Sequence, residues 1–201
     1  MKAIAILFLI IIFTSCQSPQ TKYENSVKLQ QIVHSCQSCH SQGQQLLAPS
    51  LSGLEDWYIK EQLYKFQEGI RGGNSASTAA QTMHKAAKML NPKQINFLAK
   101  WYSKQPVKKE SPTVKGDNLK GEVLYKQNCS GCHSGGPGKF FTGSPSLKQL
   151  PDWYIFTQVK NFKTGKRGSN PQDKKGLKMA ERVKDLDDEQ LQNIAAFLHK
   201  R

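Results

Sequence analysis

The chain has 201 residues, of which 37% are hydrophobic and 22% are charged, and it contains five cysteines. This length suits one large domain or two small ones, and the modest apolar fraction argues against several membrane spans. The 29 basic and 15 acidic residues give a formal net charge of +14, which invites a nucleic-acid interpretation that no motif in the sequence supports. Glycine and proline are too few for a collagen-like or low-complexity chain.

The first fifteen residues are typical of an export signal. Lys2 precedes an apolar run at 3–13, whereas a membrane-spanning helix needs about 20 apolar residues, so a cleaved signal is favoured over an uncleaved anchor. The small residues before Cys16 resemble a bacterial lipobox, although Phe13 stands where that pattern usually has leucine. Ordinary cleavage nearby, leaving Cys16 as a spare thiol, is the alternative. We predict an exported, periplasmic lipoprotein anchored to the membrane through Cys16.

The four remaining cysteines lie in two C-x-x-C-H motifs, Cys36-Gln37-Ser38-Cys39-His40 and Cys129-Ser130-Gly131-Cys132-His133. This pattern is the attachment signature of c-type haem. Two thiols three residues apart can reach both vinyl groups of one haem, and the next imidazole then lies under the same porphyrin and binds its iron. The sequence therefore predicts two covalent haem c groups, with His40 and His133 as iron ligands.

Three other uses of four cysteines fit less well. The paired cysteines of a zinc ribbon are roughly 15–20 residues apart, whereas ninety residues separate Cys39 from Cys129. Thioredoxin-like redox motifs would need a βαβ pattern, which the sequence does not show. Two disulfides would not need the histidine that follows each pair.

The chain is a tandem repeat with an offset of 96 residues, as shown by the pairs Trp57/Trp153, Gln62/Gln158, Phe66/Phe162, Arg71/Arg167 and Asn74/Asn170. The haem motifs are offset by 93, so the second copy has three extra residues, placed at 134–138, where the composition predicts a loop. We predict a signal peptide at 1–15, a tether at 16–25, one domain at 26–105, a polar linker at 106–117 and a second domain at 118–201.

Both copies have the periodicity of an all-α fold. Apolar residues recur at helical spacing in the middle helix of each copy, around Ile59 and Ile155. The last helix of the first copy starts at Asn91, with proline next and Gln94 three residues later, which is a capping box. In the second copy, Asp187 and Gln190 repeat this start.

Methionine is a common sixth ligand of haem c and raises its reduction potential. Met179 is the one methionine of the second copy, and Met83 aligns with it at offset 96. Met89 aligns with an aspartate and is therefore expected to be a core or surface residue. We predict Met83 and Met179 as axial ligands. The alternative is that both are core residues and that His84 ligates iron in the first copy.

The order C-x-x-C-H, Pro-x-Leu, W-Y-x-x-x-Q, F-x-x-G-x-R-G, Met and a capped last helix resembles class I cytochromes c. Two such domains in tandem resemble the periplasmic dihaem cytochromes of the cytochrome c4 type, over about 26–201. The resemblance implies the helical cytochrome c fold around each haem, His/Met ligation and electron carriage. The first copy departs at Ser77 and Ala80, where the second has Asp173 and Gly176, so the loop before Met83 is expected to differ.

Two repeated residue types are candidates for contact with the haem propionates. Arg71 and Arg167 follow the middle helices and could pair with carboxylates, or simply act as solvated cations at helix ends. Trp57 and Trp153 could hydrogen-bond a propionate or fill the core.

The leading hypothesis is an electron carrier between respiratory donors and a terminal oxidase or reductase, with no catalytic residue. Its basic charge favours redox partners with an acidic docking surface, although a solvated surface explains the charge equally well. The alternatives are a haem enzyme, such as a peroxidase or a sulfur-compound oxidase, and a cytochrome subunit docked on a dehydrogenase. Nucleic acid is not an expected partner.

Overall fold

The computed structural model describes residues 19–74 and 76–200, and this part of the chain is all-α, as predicted. A single isolated bridge joins Gly43 to Ala48 within it. The helices are α1 Pro19–His40, α2 Asp56–Gln67, α3 Thr78–Lys88, α4 Pro92–Ser103, α5 Asn118–Asn128, α6 Ser130–His133, α7 Gly136–Thr142, α8 Asp152–Lys163, α9 Lys174–Val183 and α10 Asp188–Lys200. A 3-10 turn, Gln44–Leu46, follows α1.

Helix packing follows the two copies of the repeat. In the first copy, α4 contacts α1 and α2, and α2 contacts α3. In the second copy, α10 contacts α5 and α8, and α8 contacts α9. The middle and last helices of each copy therefore pack together with one further helix each, and in the second copy the short helix α6 contacts α5 and α7.

The predicted start of each last helix is confirmed. The side chain of Asn91 accepts from the backbone of Gln94, and the side chain of Gln94 accepts from the backbone of Asn91. Asp187 and Gln190 make the same reciprocal pair. The apolar stripes behind these caps are buried in both copies: Ile95, Leu98 and Ala99 in α4, and Leu191, Ile194 and Ala195 in α10.

Two segments between helices are more ordered than their composition indicates. The stretch predicted as a loop at 134–138 contains the start of α7, at Gly136, because a proline in the first turn is already set for helical backbone angles. The polar linker is held at its C-terminal end by the fully buried carboxylate of Asp152, which accepts from the backbone N–H groups of Thr113 (2.7 Å) and Val114 (2.8 Å).

The export signal and Cys16 lie outside the described residues. Across 19–74 and 76–200, no helix is both long enough and apolar enough to cross a bilayer.

Candidate haem sites

The two motif histidines have the same hydrogen bond in both copies. His40 ends α1, and its Nδ1 donates to the carbonyl of Pro49 at 2.7 Å. His133 ends α6, and its Nδ1 donates to the carbonyl of Pro145 at 2.9 Å. A proton fixed on Nδ1 leaves the lone pair on Nε2, which is the arrangement of a metal-binding imidazole.

The surroundings of these imidazoles also suit metal binding. Burial lowers the pKa of His40 and His133, outweighing the opposing effect of each proline carbonyl. Both rings are therefore neutral at pH 7, the form that binds a metal. In addition, Nε2 of His133 is buried and has no hydrogen-bond partner among the described residues. A buried nitrogen without a hydrogen-bond partner lowers the stability of the fold. A bond to iron would supply the missing partner, so this atom fits an axial ligand.

The four motif cysteines form no disulfide with one another, and two of them pack against the core. Cys36 and Cys129 pack against buried apolar side chains, and burial raises the pKa of both, to about 11 for Cys129. Cys132 is half-buried and Cys39 is exposed. Among the described residues, no three His, Cys, Asp or Glu side chains converge as they would around a metal ion.

His133 and Met179 line the same open cleft. Met179 lies on α9 and packs against the core. The wall of this cleft also includes Tyr58, Gln62 and Lys65, which belong to α2 of the first copy. The cleft predicted for the second haem is therefore completed by the first copy of the repeat.

Met83 occupies the same position in α3 as Met179 does in α9, six residues after the N-cap of the helix. Met83 is half-buried, whereas Met89 is 85% exposed, as expected of a surface residue. Nδ1 of His84, the alternative ligand, pairs with the carbonyl of Phe66. Ligation by Met83 and Met179 stays a prediction.

Arg71 joins the two copies of the repeat. Its Nη1 donates to the amide oxygen of Gln62 in its own copy, at 2.7 Å. Its Nη2 donates across the interface to the hydroxyl of Tyr154, at 2.8 Å, and to the amide oxygen of Gln158, at 3.1 Å. One side chain thus ties α2 to α8.

Arg167 makes the mirror-image set of bonds. It donates to Gln158 of its own copy at 2.8 Å, and across the interface to Gln62 at 3.2 Å and the hydroxyl of Tyr58 at 3.4 Å. Because equivalent residues exchange equivalent bonds, the interface has local two-fold pseudosymmetry. The repeat pairs Gln62 with Gln158, but it does not predict that the two copies contact each other. The residues that make the contact lie about a hundred positions apart in the sequence.

The two guanidinium groups fit a site for carboxylates. Each stands over a phenylalanine ring of its own copy, 4.5 Å from the centroid. Every hydrogen-bond partner recorded for them within the described residues is a neutral amide or hydroxyl. Nε of Arg71 is buried with no partner there. Cations whose hydrogen bonds go to neutral groups can still pair with haem propionates, although the charge of Asp173 also acts on Arg167. The propionate contacts of Arg71 and Arg167 stay a prediction.

The tryptophans predicted to reach the propionates have other contacts. Nε1 of Trp153 donates to the carboxylate of Glu110 in the linker at 2.8 Å, and the side chain is almost fully buried. The ring of Trp57 faces the ammonium group of Lys175, 5.4 Å away. A propionate contact for either residue stays a prediction.

An ion-pair network lies on the rim of the second cleft and crosses the interface. Lys65 contacts Glu61 of its own helix at 2.7 Å and Asp173 of the second copy at 2.8 Å, and Lys175 contacts Glu61 at 2.8 Å. Burial alone would raise the pKa of Glu61 and Asp173, but hydrogen bonds and charge from the lysines hold both below the ordinary values. The repeat does not contain this network, so alignment of the copies could not reveal it.

Residues 119–201 match the family model for cytochrome c. In fold, the chain is similar to cytochrome c4 from Acidithiobacillus ferrooxidans, with a TM-score of 0.62 and 20% identity over 83% of this chain and 98% of that one. It is also similar to reduced recombinant cytochrome c4 from Pseudomonas stutzeri, with a TM-score of 0.59 and 20% identity over 86% and 96% of the two chains.

A third similar structure is the thiosulfate dehydrogenase TsdBA from Marichromatium purpuratum, with a TM-score of 0.63 and 24% identity over 83% of this chain. This chain spans 36% of the length of that protein. A search of curated protein sequences finds no match.

Proposed function

We propose that this chain, in which residues 119–201 match the cytochrome c family and the fold is that of the dihaem cytochromes c4, is an electron carrier with two haem c groups. The observation that carries the proposal is the state of His133. Its Nδ1 is held by the carbonyl of Pro145, its Nε2 is buried with no partner among the described residues, and it lines the same cleft as Met179. An axial ligand needs this state.

Each group of residues has a distinct task in this proposal. The two cysteine pairs hold the haems covalently, and His40 and His133 supply nitrogen ligands whose orientation the proline carbonyls set. Met83 and Met179 close the sixth positions with a thioether, which leaves no coordination site for a substrate. Arg71 and Arg167 compensate propionate charge where the copies meet. A haem c held in this way exchanges one electron between Fe(III) and Fe(II).

The count of covalent haems tests the proposal. A pyridine haemochrome assay is expected to give two haems per chain, and acid–acetone extraction should leave the colour with the protein. Replacing Cys129 and Cys132 by Ala should remove one haem and leave the first site loaded, while the same change at Cys36 and Cys39 should do the reverse. One haem or none in the unmutated chain would refute the proposal.

A second candidate function is that of an electron-transfer subunit bound to a separate enzyme. The similarity to thiosulfate dehydrogenase TsdBA, of which this chain spans 36%, favours it. Purification from native membranes separates the two candidates, because a subunit should copurify with a stoichiometric enzyme and a free carrier should not.

We also propose that the protein is exported and anchored in a membrane by lipid on Cys16, a proposal supported by the sequence of residues 1–16. Lipoprotein modification supplies more than one acyl chain, which stable anchoring requires. The protein should therefore partition into detergent, and Cys16→Ser should release it into the aqueous phase. An unmodified mature N-terminus in mass spectrometry would exclude the anchor.

We propose that the partners are respiratory donors and a terminal oxidase or reductase. Each partner would dock an acidic surface of its own against this basic chain. The formal net charge of +14 supports this complementarity. Such steering acts on the association rate and weakens as ionic strength rises.

A further inference from the structure

The helix that carries Met179 is held at its start by the first copy of the repeat. Asp173 caps α9, with Oδ1 accepting from the backbone N–H of Gly176 at 2.9 Å. The same oxygen accepts from Nζ of Lys65, which lies on α2, at 2.8 Å. Both side chains are largely buried, with 16% of Lys65 and 6% of Asp173 exposed. Helix α9 is therefore fixed by an ion pair that crosses the interface, less than two turns before Met179.

The first site has no counterpart of this ion pair. At offset 96, Lys65 corresponds to Asn161 and Asp173 corresponds to Ser77, both of them uncharged. Ser77 keeps the capping role, since its hydroxyl accepts from the backbone N–H of Ala80 at the start of α3. The two copies thus cap their methionine helices in the same way, but only the second helix is tied to the other copy by opposite charges at these positions.

The surroundings of Lys65 connect it to the second cleft rather than to a solvated surface. It lines the cleft together with His133 and Met179. Its second partner, Glu61, also binds Lys175 of the second copy, so two lysines and two carboxylates alternate across the interface. An ion pair with this little exposure is screened far less than one at the surface.

We propose that Lys65 is a positioning residue that holds α9, and with it Met179, against the second haem. The proposal rests on the haem sites proposed above and adds an asymmetry to them. The first copy clamps the axial-ligand helix of the second through this ion pair, whereas no ion pair between α3 and the second copy is found among residues 19–74 and 76–200. Opening of α9 must break the ion pair with Lys65, whereas opening of α3 breaks no ion pair between described residues. The second haem is therefore expected to exclude external ligands more strongly.

Binding of imidazole to the oxidised protein can be measured at one haem at a time. Its affinity for the second haem reports how firmly the ion pair with Lys65 holds α9. In a Met83→Ala background only the second haem keeps a thioether, so the weak near-infrared band of Met–Fe(III) ligation reports that haem alone. Lys65→Asn in this background should raise the affinity for imidazole about tenfold, which corresponds to about 1.4 kcal/mol. Lys65→Arg, which keeps the charge, should restore most of the original affinity.

A mirror control uses the equivalent position. In a Met179→Ala background, Asn161→Ala should leave the imidazole affinity of the first haem unchanged within about twofold. A second control separates the clamp from the cost of an unpaired buried carboxylate. The double change Lys65→Asn with Asp173→Ser installs the residue pair of the first copy and keeps a capping hydroxyl. It should recover stability to denaturant while the second haem stays as accessible as in Lys65→Asn.

The outcomes separate this inference from the proposed function. A holoprotein with fewer than two haems would refute the function itself. With two haems and two methionine bands in place, unchanged imidazole affinity in Lys65→Asn would overturn the clamp alone. Recovery of the original low affinity in the double variant would also overturn it, because the effect would then come from the stranded charge of Asp173.

Discussion

Gly121 lies on α5 against the backbone of α10, and its lack of a side chain permits that close approach. A Cβ built there would lie 2.0 Å from the carbonyl oxygen of Asn193 and 2.9 Å from the Cβ of Phe197. Gly121→Ala gains about 1 kcal/mol of helix propensity but forces the helices apart, and because the clash is with backbone the cost lies in the upper part of the usual range, about 2–3 kcal/mol. We expect a net loss of about 1–2 kcal/mol in the free energy of unfolding, measured in urea.

A substitution on the exposed face of the same helix is the control for Gly121→Ala. The side chain of Val123 is 53% exposed, so Val123→Ala should change the free energy of unfolding by less than about 0.5 kcal/mol. Equal stability of the two variants would contradict the close contact between α5 and α10.

At the scale of helices, the sequence predicted the features that depend on side chains close together in the chain. The caps at Asn91 and Asp187 and the stripes behind them follow from side chains within one turn, and both last helices begin as predicted. The helix start at Gly136 was missed because glycine-rich composition outweighs the effect of one proline. The repeat also could not show that Asp152 binds the linker. Asp56 stands at the same repeat position but is exposed, whereas Asp152 is buried, so the repeat position does not determine this role.

The candidate sites show the same division between local and long-range information. Cysteine spacing and the repeat were enough to nominate four attachment cysteines and four candidate axial ligands, and these roles stay predictions. The reciprocal bonds of Arg71 and Arg167, and the ion pair of Lys65 with Asp173, join residues 83 to 109 positions apart. No periodicity encodes such distances, so these contacts emerge only when the two copies of the repeat are packed together.

For the whole molecule, the interface combines pseudosymmetric hydrogen bonds with asymmetric ion pairs, which include Glu55 with Lys139. The Arg–Gln–Tyr bonds are exchanged equally between the copies, whereas the charges of Glu61, Lys65, Asp173 and Lys175 have uncharged counterparts at offset 96. Equal halves would make two interchangeable haem sites. Instead, charged side chains of the first copy, Glu61 and Lys65, lie on the rim of the second cleft.

Exposure of the reduced protein to carbon monoxide tests the central claim, that both haems are closed for electron carriage, most directly. With thioether ligands at both sites, the Soret spectrum should change slowly or not at all. Met179→Ala should open only the second haem and Met83→Ala only the first, while Met89→Ala, at an exposed position, should open neither. Rapid binding of carbon monoxide to one haem of the unmutated protein would contradict the account and favour an enzyme.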